Sequence, residues 1–418
     1  MTPARRFWVA AHRWAGLTIT LVLLVAGSTG TLLAFRDDIN GVAAPAFSTA
    51  VPPVEGARMI DPLRLRELAE ARSGERIAYV PLAQEPGKPV IFSVERGSDE
   101  TKDPGYELSM NPYTGQEQAR RVWGAISEGW HNLMPFILRL HFDLALGPWM
   151  GWVFGIAALI WTLDCFVGAY VTLPVRQKGP RPATSSWWAR WRPAWTVRRK
   201  TKAYKLNMDL HRAGGLWLWA LLFVFAWSSV GLNLGSVHSP VMRALFAFRE
   251  EVNIPELAVP APVPAAAWSG ALARGRALMS DELRSRGFTL RAEGGLYHDA
   301  ATGAFHYSVR SSADGEYPNT AVTFSARDGR ALAFRSTADE RAGDFITRWM
   351  VDLHLAGVWG RTWDIIVAVV GIGVVTLSIT GVVIWWKKRK ARVAGRRKRG
   401  AQAPQAQSSP KAEPLVAE

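Results

Sequence analysis

The 418-residue chain holds a single cysteine, Cys165. That excludes an internal disulfide framework, a cysteine-ligated zinc site and a CxxCH haem-c attachment. No GxGxxG run follows a strand-like segment, so neither a flavin nor a nicotinamide domain is indicated. Acidic residues are short against bases, 35 Asp and Glu to 50 Lys and Arg, a formal charge of +15. Charged residues make up only 20% of the chain and apolar ones 49%, and the two are segregated along it. The 20 tryptophans are several times the usual share, and tryptophan gathers where membrane meets water.

Four apolar segments are long enough to cross a hydrocarbon core that needs about 20 residues. They run over 14–35, 149–173, 214–234 and 363–386. The first has a basic segment before it and Ala44-Pro45-Ala46 after it, as a cleaved signal peptide would. Its apolar run exceeds the usual signal core, and a later segment matches it, so a membrane span is the reading taken.

Charge divides the connecting segments. Residues 1–13, 174–212 and 387–418 together hold 24 Lys and Arg against 3 acids, a balance of +21, which leaves −6 for the rest. The positive-inside rule then places both termini and the 174–212 loop in the cytoplasm, and the long segments 36–135 and 236–345 outside. The excess charge reads as a topology signal facing anionic lipid, not as a nucleic-acid surface, even for Arg396-Arg397-Lys398-Arg399-Gly400. The tail that follows has a disordered composition.

The chain also repeats. His12-Arg13-Trp14-Ala15-Gly16 returns as His211-Arg212-Ala213-Gly214-Gly215, at an offset of 199. Leu140, His141, Gly147, Gly168 and Arg176 return as Leu353, His354, Gly360, Gly381 and Arg389, at an offset of 213. Each half is span, external segment, span. Each external segment opens on an expected helix, 61–71 or Ala267–Arg286, and continues into strand-like runs such as Val90–Val94 and 305–309. A strand then enters a turn at Asn111-Pro112 and at Asp328-Gly329. The expected external fold is a helix on a small antiparallel sheet, with 259–264 as a Pro-rich linker. The divisions are 1–35, 36–135, 136–173, 174–212, 213–235, 236–345, 346–386 and 387–418, with His141 and His354 on short external helices before the second and fourth spans.

The two His-Arg span openings, the Leu-His…Gly…Gly elements, the basic Trp385-Trp386-Lys387-Lys388-Arg389-Lys390 end and the Pro112-Tyr113-Thr114-Gly115-Gln116 turn carry a resemblance. The chain resembles the PepSY-associated transmembrane family, which includes iron-regulated inner-membrane proteins and ferric-siderophore reductases. That resemblance implies a bacterial inner-membrane bundle of four spans with two α+β PepSY-like domains outside. It also implies two haems b and transfer of electrons to an external ferric siderophore. The donor would be a quinol or a separate cytoplasmic reductase. A non-enzymatic PepSY binding or regulatory protein, and a cytochrome b subunit serving a periplasmic partner protein, are the alternatives.

Eight histidines are present. His131, His298 and His306 read as ordinary hydrogen-bonding residues, and His238, just after the third span, as either such a residue or a ligand. His12 and His211 share one membrane depth on the cytoplasmic side; His141 and His354 share another on the external side. A bis-histidine haem needs two imidazoles on different helices at one level, their coordinating nitrogens about 4 Å apart. These four are the expected ligands of haem iron. Ala15, Gly16, Gly214 and Gly215 would admit a flat macrocycle. Arg13 and Arg212 at one pair, and Arg139 and Arg361 at the other, are candidates for its propionates or for lipid headgroups. No Cys or carboxylate cluster completes a zinc site. Asp164 lies mid-span, where charge is expensive. It reads either as a functional group (proton relay, propionate neighbour or quinone contact) or as a protonated carboxyl bonded to Ser28, Thr29, Ser228 or Ser229. No catalytic residue is assigned.

Overall fold

The computed structural model describes residues 2–94, 105–175, 186–261, 267–315 and 319–401, with side chains to 395. Arg176, the 262–264 part of the linker and the tail from 402 lie outside the described residues.

The chain enters α1 (Pro3–Leu33) with Pro3 in the first turn and the Thr2 hydroxyl accepting from the Arg5 amide. This helix starts 11 residues before the apolar run, because Arg5, Arg6 and Arg13 are good helix formers. A short α2 (Arg36–Ala43) follows. The next helix, α3 (Pro62–Ser73), is capped by Asp61, which accepts from the Leu63 and Arg64 amides, and it stops at Gly74, where φ is 73°. Four strands come next: β1 (Tyr79–Pro81), β2 (Val90–Val94), β3 (Tyr106–Met110) and β4 (Glu117–Val122). Two helices return the chain to the bundle, α4 (Leu133–Asp143) and α5 (Trp149–Thr172). Past a one-turn tryptophan-rich α6 (Trp187–Trp191) come α7 (Ala203–Trp217), α8 (Trp219–Asn233) and α9 (Gly235–Leu245). The second half ends with α10 (Ala267–Arg286), β5 (Leu290–Asp299), β6 (Ala304–Ser311), β7 (Thr320–Ser325), β8 (Ala331–Arg335), α11 (Ala342–His354) and α12 (Gly360–Ala401).

Among the described residues three helices, α1, α5 and α12, are long and apolar enough to cross a bilayer. The third expected span is a bent pair: α7 and α8 meet at 69° around Leu218, and they make a fourth crossing if counted as one. Gly214 and Gly215 lie within a turn of the break and weaken the helix there. The last helix runs 15 residues past the expected end at 386, since Lys and Arg continue a helix without strain. In the bundle α1 packs on α5 and α12, α5 on α8, and α12 on α7. Close approach of α1 to α12 depends on facing glycines. A Cβ on Gly371 would stand 2.7 Å from the Gly27 carbonyl oxygen, and one on Gly27 3.0 Å from that of Gly371.

The strands form a three-stranded antiparallel sheet, β2-β3-β4, and a five-stranded one, β1-β5-β6-β7-β8. α3 covers the first through Leu65 and Ala69 against Phe92, Leu108 and Met110. α10 covers the second through Leu272, Met279 and Leu283 against Phe305, Tyr307 and Phe324. Both turns expected from sequence are present. Asn111 Oδ1 accepts from the Tyr113 and Thr114 amides, and Ser325 Oγ from Arg327 and Asp328. One strand departs from the expected division. β1 belongs in sequence to the first external segment but pairs with β5 of the second, Val80 opposite Leu296 and Pro81 opposite Gly295. The two segments are thus sewn together. Pro81 is tolerated because β1 is an edge strand. Arg66, buried on α3, reinforces the seam, its guanidinium 3.8 Å from the Trp268 ring centre on α10.

Candidate functional site: two facing histidine pairs

α4 and α11 are short because each is stopped by left-handed backbone. Leu144 and Ala145 have φ of 52° and 55°, and Ala356 has φ of 57°. Each helix therefore ends within three residues of its histidine, and α5 and α12 begin just beyond. This holds His141 against α1 and His354 against α8.

The bundle brings the four candidate ligands into two pairs. His12 on α1 faces His211 on α7 with ring centres 6.1 Å apart and ring planes at 57°. His141 faces His354 with centres 6.2 Å apart and planes at 74°. Two imidazoles held by one metal at about 2.0 Å each, with about 1.2 Å from nitrogen to ring centre, would have centres no more than about 6.4 Å apart. The pairs are well separated. His12 and Thr29, which touches His141, are 17 residues apart on one helix, about 25 Å at 1.5 Å per residue.

Hydrogen bonding fixes the same tautomer at all four rings. His211 Nδ1 lies 3.1 Å from the Leu377 carbonyl oxygen, which only accepts, and 3.0 Å from Thr380 Oγ1. His141 Nδ1 lies 3.0 Å from Thr29 Oγ1, whose own proton goes to the Val25 carbonyl. His354 Nδ1 lies 2.7 Å from Ser228 Oγ, whose proton goes to the Val224 carbonyl. His12 Nδ1 lies 2.9 and 3.0 Å from the two oxygens of Asp164. In each case Nδ1–H donates, and a neutral ring then carries its lone pair on Nε2. Histidines that ligate metals are held this way, by a partner on the other ring nitrogen. Thr29 and Ser228 are also related by the 199-residue offset, a signal that could have singled them out in the sequence.

Glycines let three of the rings lie against helix backbone. A Cβ on Gly30 would come 3.1 Å from His141 Cε1, one on Gly168 3.4 Å from His12 Cε1, and one on Gly381 3.3 Å from His211 Cε1. His354 instead packs on Phe225, ring centres 5.0 Å apart. Around His141 and His354 opens a cavity of about 650 Å³, walled by α1, α5, α8 and α12 through residues such as Ala26, Phe154, Phe225 and Val370. Its volume falls within the usual range for cofactor and ligand sites. Arg36, Asp38 and Arg361 line it together with Phe35, and Arg361 is ion-paired with Asp38.

The arginine assignments divide. Arg361 lines the cavity, and Arg36, not singled out from sequence, lines it too. Arg139 turns away, packing on Gly124 and donating to the Ala145 carbonyl. Arg212 is bound to Asp209 and the Pro193 carbonyl, and Arg13 lies 5.4 Å from the Trp14 ring. Asp164 does not reach the serines or Thr29 expected as its partners; it is the acceptor for His12. That expectation missed because Asp164 faces α1 a full 16 residues before Ser28. Of the remaining histidines, His131 stacks on Phe47, His238 packs on Trp227, His298 on Phe305, and His306 bonds Thr323.

Among the described residues no three His, Cys, Asp or Glu side chains cluster as a metal would need. Two imidazoles per centre match a metal whose other ligands come from a macrocycle. The donor set is one that a haem iron would take from the protein. Apolar spanning helices, α+β segments at one end and paired imidazoles within the bundle define a multi-pass membrane protein. The chain belongs to the PepSY-associated TM region family, whose model matches residues 9–388. No curated protein matches the chain.

Proposed function

We propose that this protein is a four-span inner-membrane electron carrier, built by internal duplication, that binds two haems b. It would pass electrons outward to a ferric siderophore. The observation that carries the reading is the common state of the four histidines: paired at about 6 Å, Nδ1–H engaged, Nε2 left over. His12 and His211 would hold one haem and His141 and His354 the other, through Nε2. Haem iron ligated by two imidazoles supplies one-electron exchange without group transfer. Arg361 and Arg36 provide cationic groups for carboxylates at the sheet-side mouth, where Arg361 would exchange Asp38 for a propionate. The charge division supports an orientation with the His12 pair toward the cytoplasm, the His141 pair toward the external side and both termini inside. A quinol, or a separate cytoplasmic reductase, is the donor class, since the chain has no nicotinamide or flavin motif. One quinol gives up two electrons and two protons, and two ferric chelates each take one electron. The weaker ferrous chelate then releases its iron.

A reduced-minus-oxidised spectrum of the purified full-length chain tests this. Two haems per chain are expected, one lost in His12→Ala and the other in His141→Ala. A colourless protein overturns the reading in favour of a PepSY binding module. Haem without reduction of a ferric chelate favours delivery to a periplasmic protein partner.

A further inference from the structure

The two imidazole pairs differ in one respect that the repeat does not account for. Three of the four rings donate to neutral acceptors: the Thr29 hydroxyl, the Ser228 hydroxyl, and the Leu377 carbonyl with the Thr380 hydroxyl. His12 alone donates to a carboxylate, with both oxygens of Asp164 within 3.0 Å of Nδ1. The 213-residue offset equates Asp164 with Leu377, so a span of this kind folds with an apolar residue there. A carboxylate in its place costs stability in an apolar bundle. Its side chain is 11% exposed, and among the described residues its hydrogen bonds and ion pairs go to His12 only.

We infer that Asp164 is a positioning residue that lowers the reduction potential of the centre at His12 and His211 below that of the centre at His141 and His354. The inference rests on the haem reading above. A carboxylate accepting from Nδ1–H puts negative charge into the imidazole and makes Nε2 the stronger donor, which favours Fe(III) over Fe(II). Neutral hydroxyl and carbonyl acceptors do this far less. The asymmetry gives electron flow a direction. With haems held by the two histidine pairs, the carboxylate of Asp164 at His12 would make one-electron transfer from that centre to the one at His141 and His354 the downhill direction. No proton or bond changes place in that step. The reductant is the quinol or cytoplasmic carrier already named by class.

Potentiometric titration of the purified full-length chain, followed at the haem absorption bands, tests this. The wild type should titrate in two components, and His12→Ala should remove the lower one. Asp164→Asn should raise the Fe(III)-to-Fe(II) midpoint of that component by tenfold or more in the ratio at a fixed ambient potential, about 59 mV for one electron. The upper component should stay in place. Asp164→Glu, which keeps the charge, should hold the lower component within threefold of its wild-type ratio. Two retained haems that titrate as wild type in Asp164→Asn overturn the inference. So does a lower component that disappears with His141→Ala instead of His12→Ala. If Asp164→Asn loses the haem, the Glu variant decides: a retained haem at raised potential overturns the inference. A wild type with two haems at one potential overturns it while leaving the proposed function standing, whereas a wild type without haem sinks both.

Discussion

Replacing Thr29 by valine removes one oxygen from a nearly isosteric side chain and isolates a single hydrogen bond. Thr29 is buried, and its Oγ1 sits 3.0 Å from His141 Nδ1. The hydroxyl proton is spent on the Val25 carbonyl, so the oxygen is the acceptor that keeps His141 protonated on Nδ1. In Thr29→Val the ring has two options. It can keep the proton on Nδ1, with the Ala26 carbonyl as the acceptor that remains, at about 0.5–1.5 kcal/mol for the lost hydrogen bond. Or it can move the proton to Nε2, which ends its capacity to ligate a metal. The free protein takes whichever is cheaper and binding restores the first, so the cost of the first is the upper bound on the affinity lost. That bound corresponds to a fall in haem affinity at the His141 site of roughly 2- to 13-fold. Thr29→Ser keeps the oxygen and should bind within about threefold of the wild type, a difference under 1 kcal/mol. Haem titration into the haem-depleted protein, read at the Soret band, measures both sites, and the His12 site serves as the internal reference. Equal affinity at both sites in Thr29→Val and in the wild type would refute the argument that this hydroxyl sets the tautomer.

Further outcomes follow from other parts of the molecule. A reporter fused after Glu418 should behave as cytoplasmic; an external reading would sink the orientation drawn from the charge division. Gly371→Ala drives a methyl group into the Gly27 carbonyl, and thermal unfolding in detergent should show a loss of about 1–3 kcal/mol, with α1 and α12 loosened together. Glu293 receives the Arg276 guanidinium and the Tyr307 hydroxyl, and the Arg276 bond holds its carboxyl below the usual range. With the folded pKa depressed, its contribution is present above the ordinary carboxylate range and is lost as pH falls through the folded value. The melting-temperature gap between wild type and Glu293→Gln should therefore be open at pH 7 and close under acid; a gap independent of pH contradicts this. Arg66→Met should weaken the seam between α3 and α10, seen as earlier protease cleavage in the external segments, because a desolvated cation–π contact contributes about 2 kcal/mol.

What could be read from sequence followed from how strongly each element is determined by its own residues. Apolar runs of membrane length marked α1, α5 and α12, since nothing else tolerates them. The pairing of His12 with His211, and of His141 with His354, was legible only through the constant offsets. The break at Leu218 was not, as no proline marks it and two glycines are common inside membrane helices. Nor was the strand Tyr79-Val80-Pro81, because three residues ending in proline show no alternation and the partner strand lies in the other half. Asp164 was visible as an anomaly, but its acceptor role at His12 depends on how α5 is turned against α1. Arg139 and Arg361 looked equivalent from sequence; one packs beneath Gly124 and the other lines the cavity.

The shared strand has a consequence for how the chain is made. β1 is complete at Pro81, but its partner β5 begins at Leu290, about 210 residues later. At roughly 5–20 residues per second of synthesis, that is a wait of about 10–40 s. During this interval Tyr79, Val80 and Pro81 present an open backbone edge while the α4 to α10 stretch is still being laid down. The buried contacts of Val80 with the second sheet cannot form until then. Nascent chains stalled before residue 290 should therefore expose this segment to protease or to chaperone capture. Those stalled beyond the β6 residues should protect it. Two halves supplied as separate polypeptides would have to form this strand pairing between chains, beside the contacts of α1 with α12 and of α5 with α8.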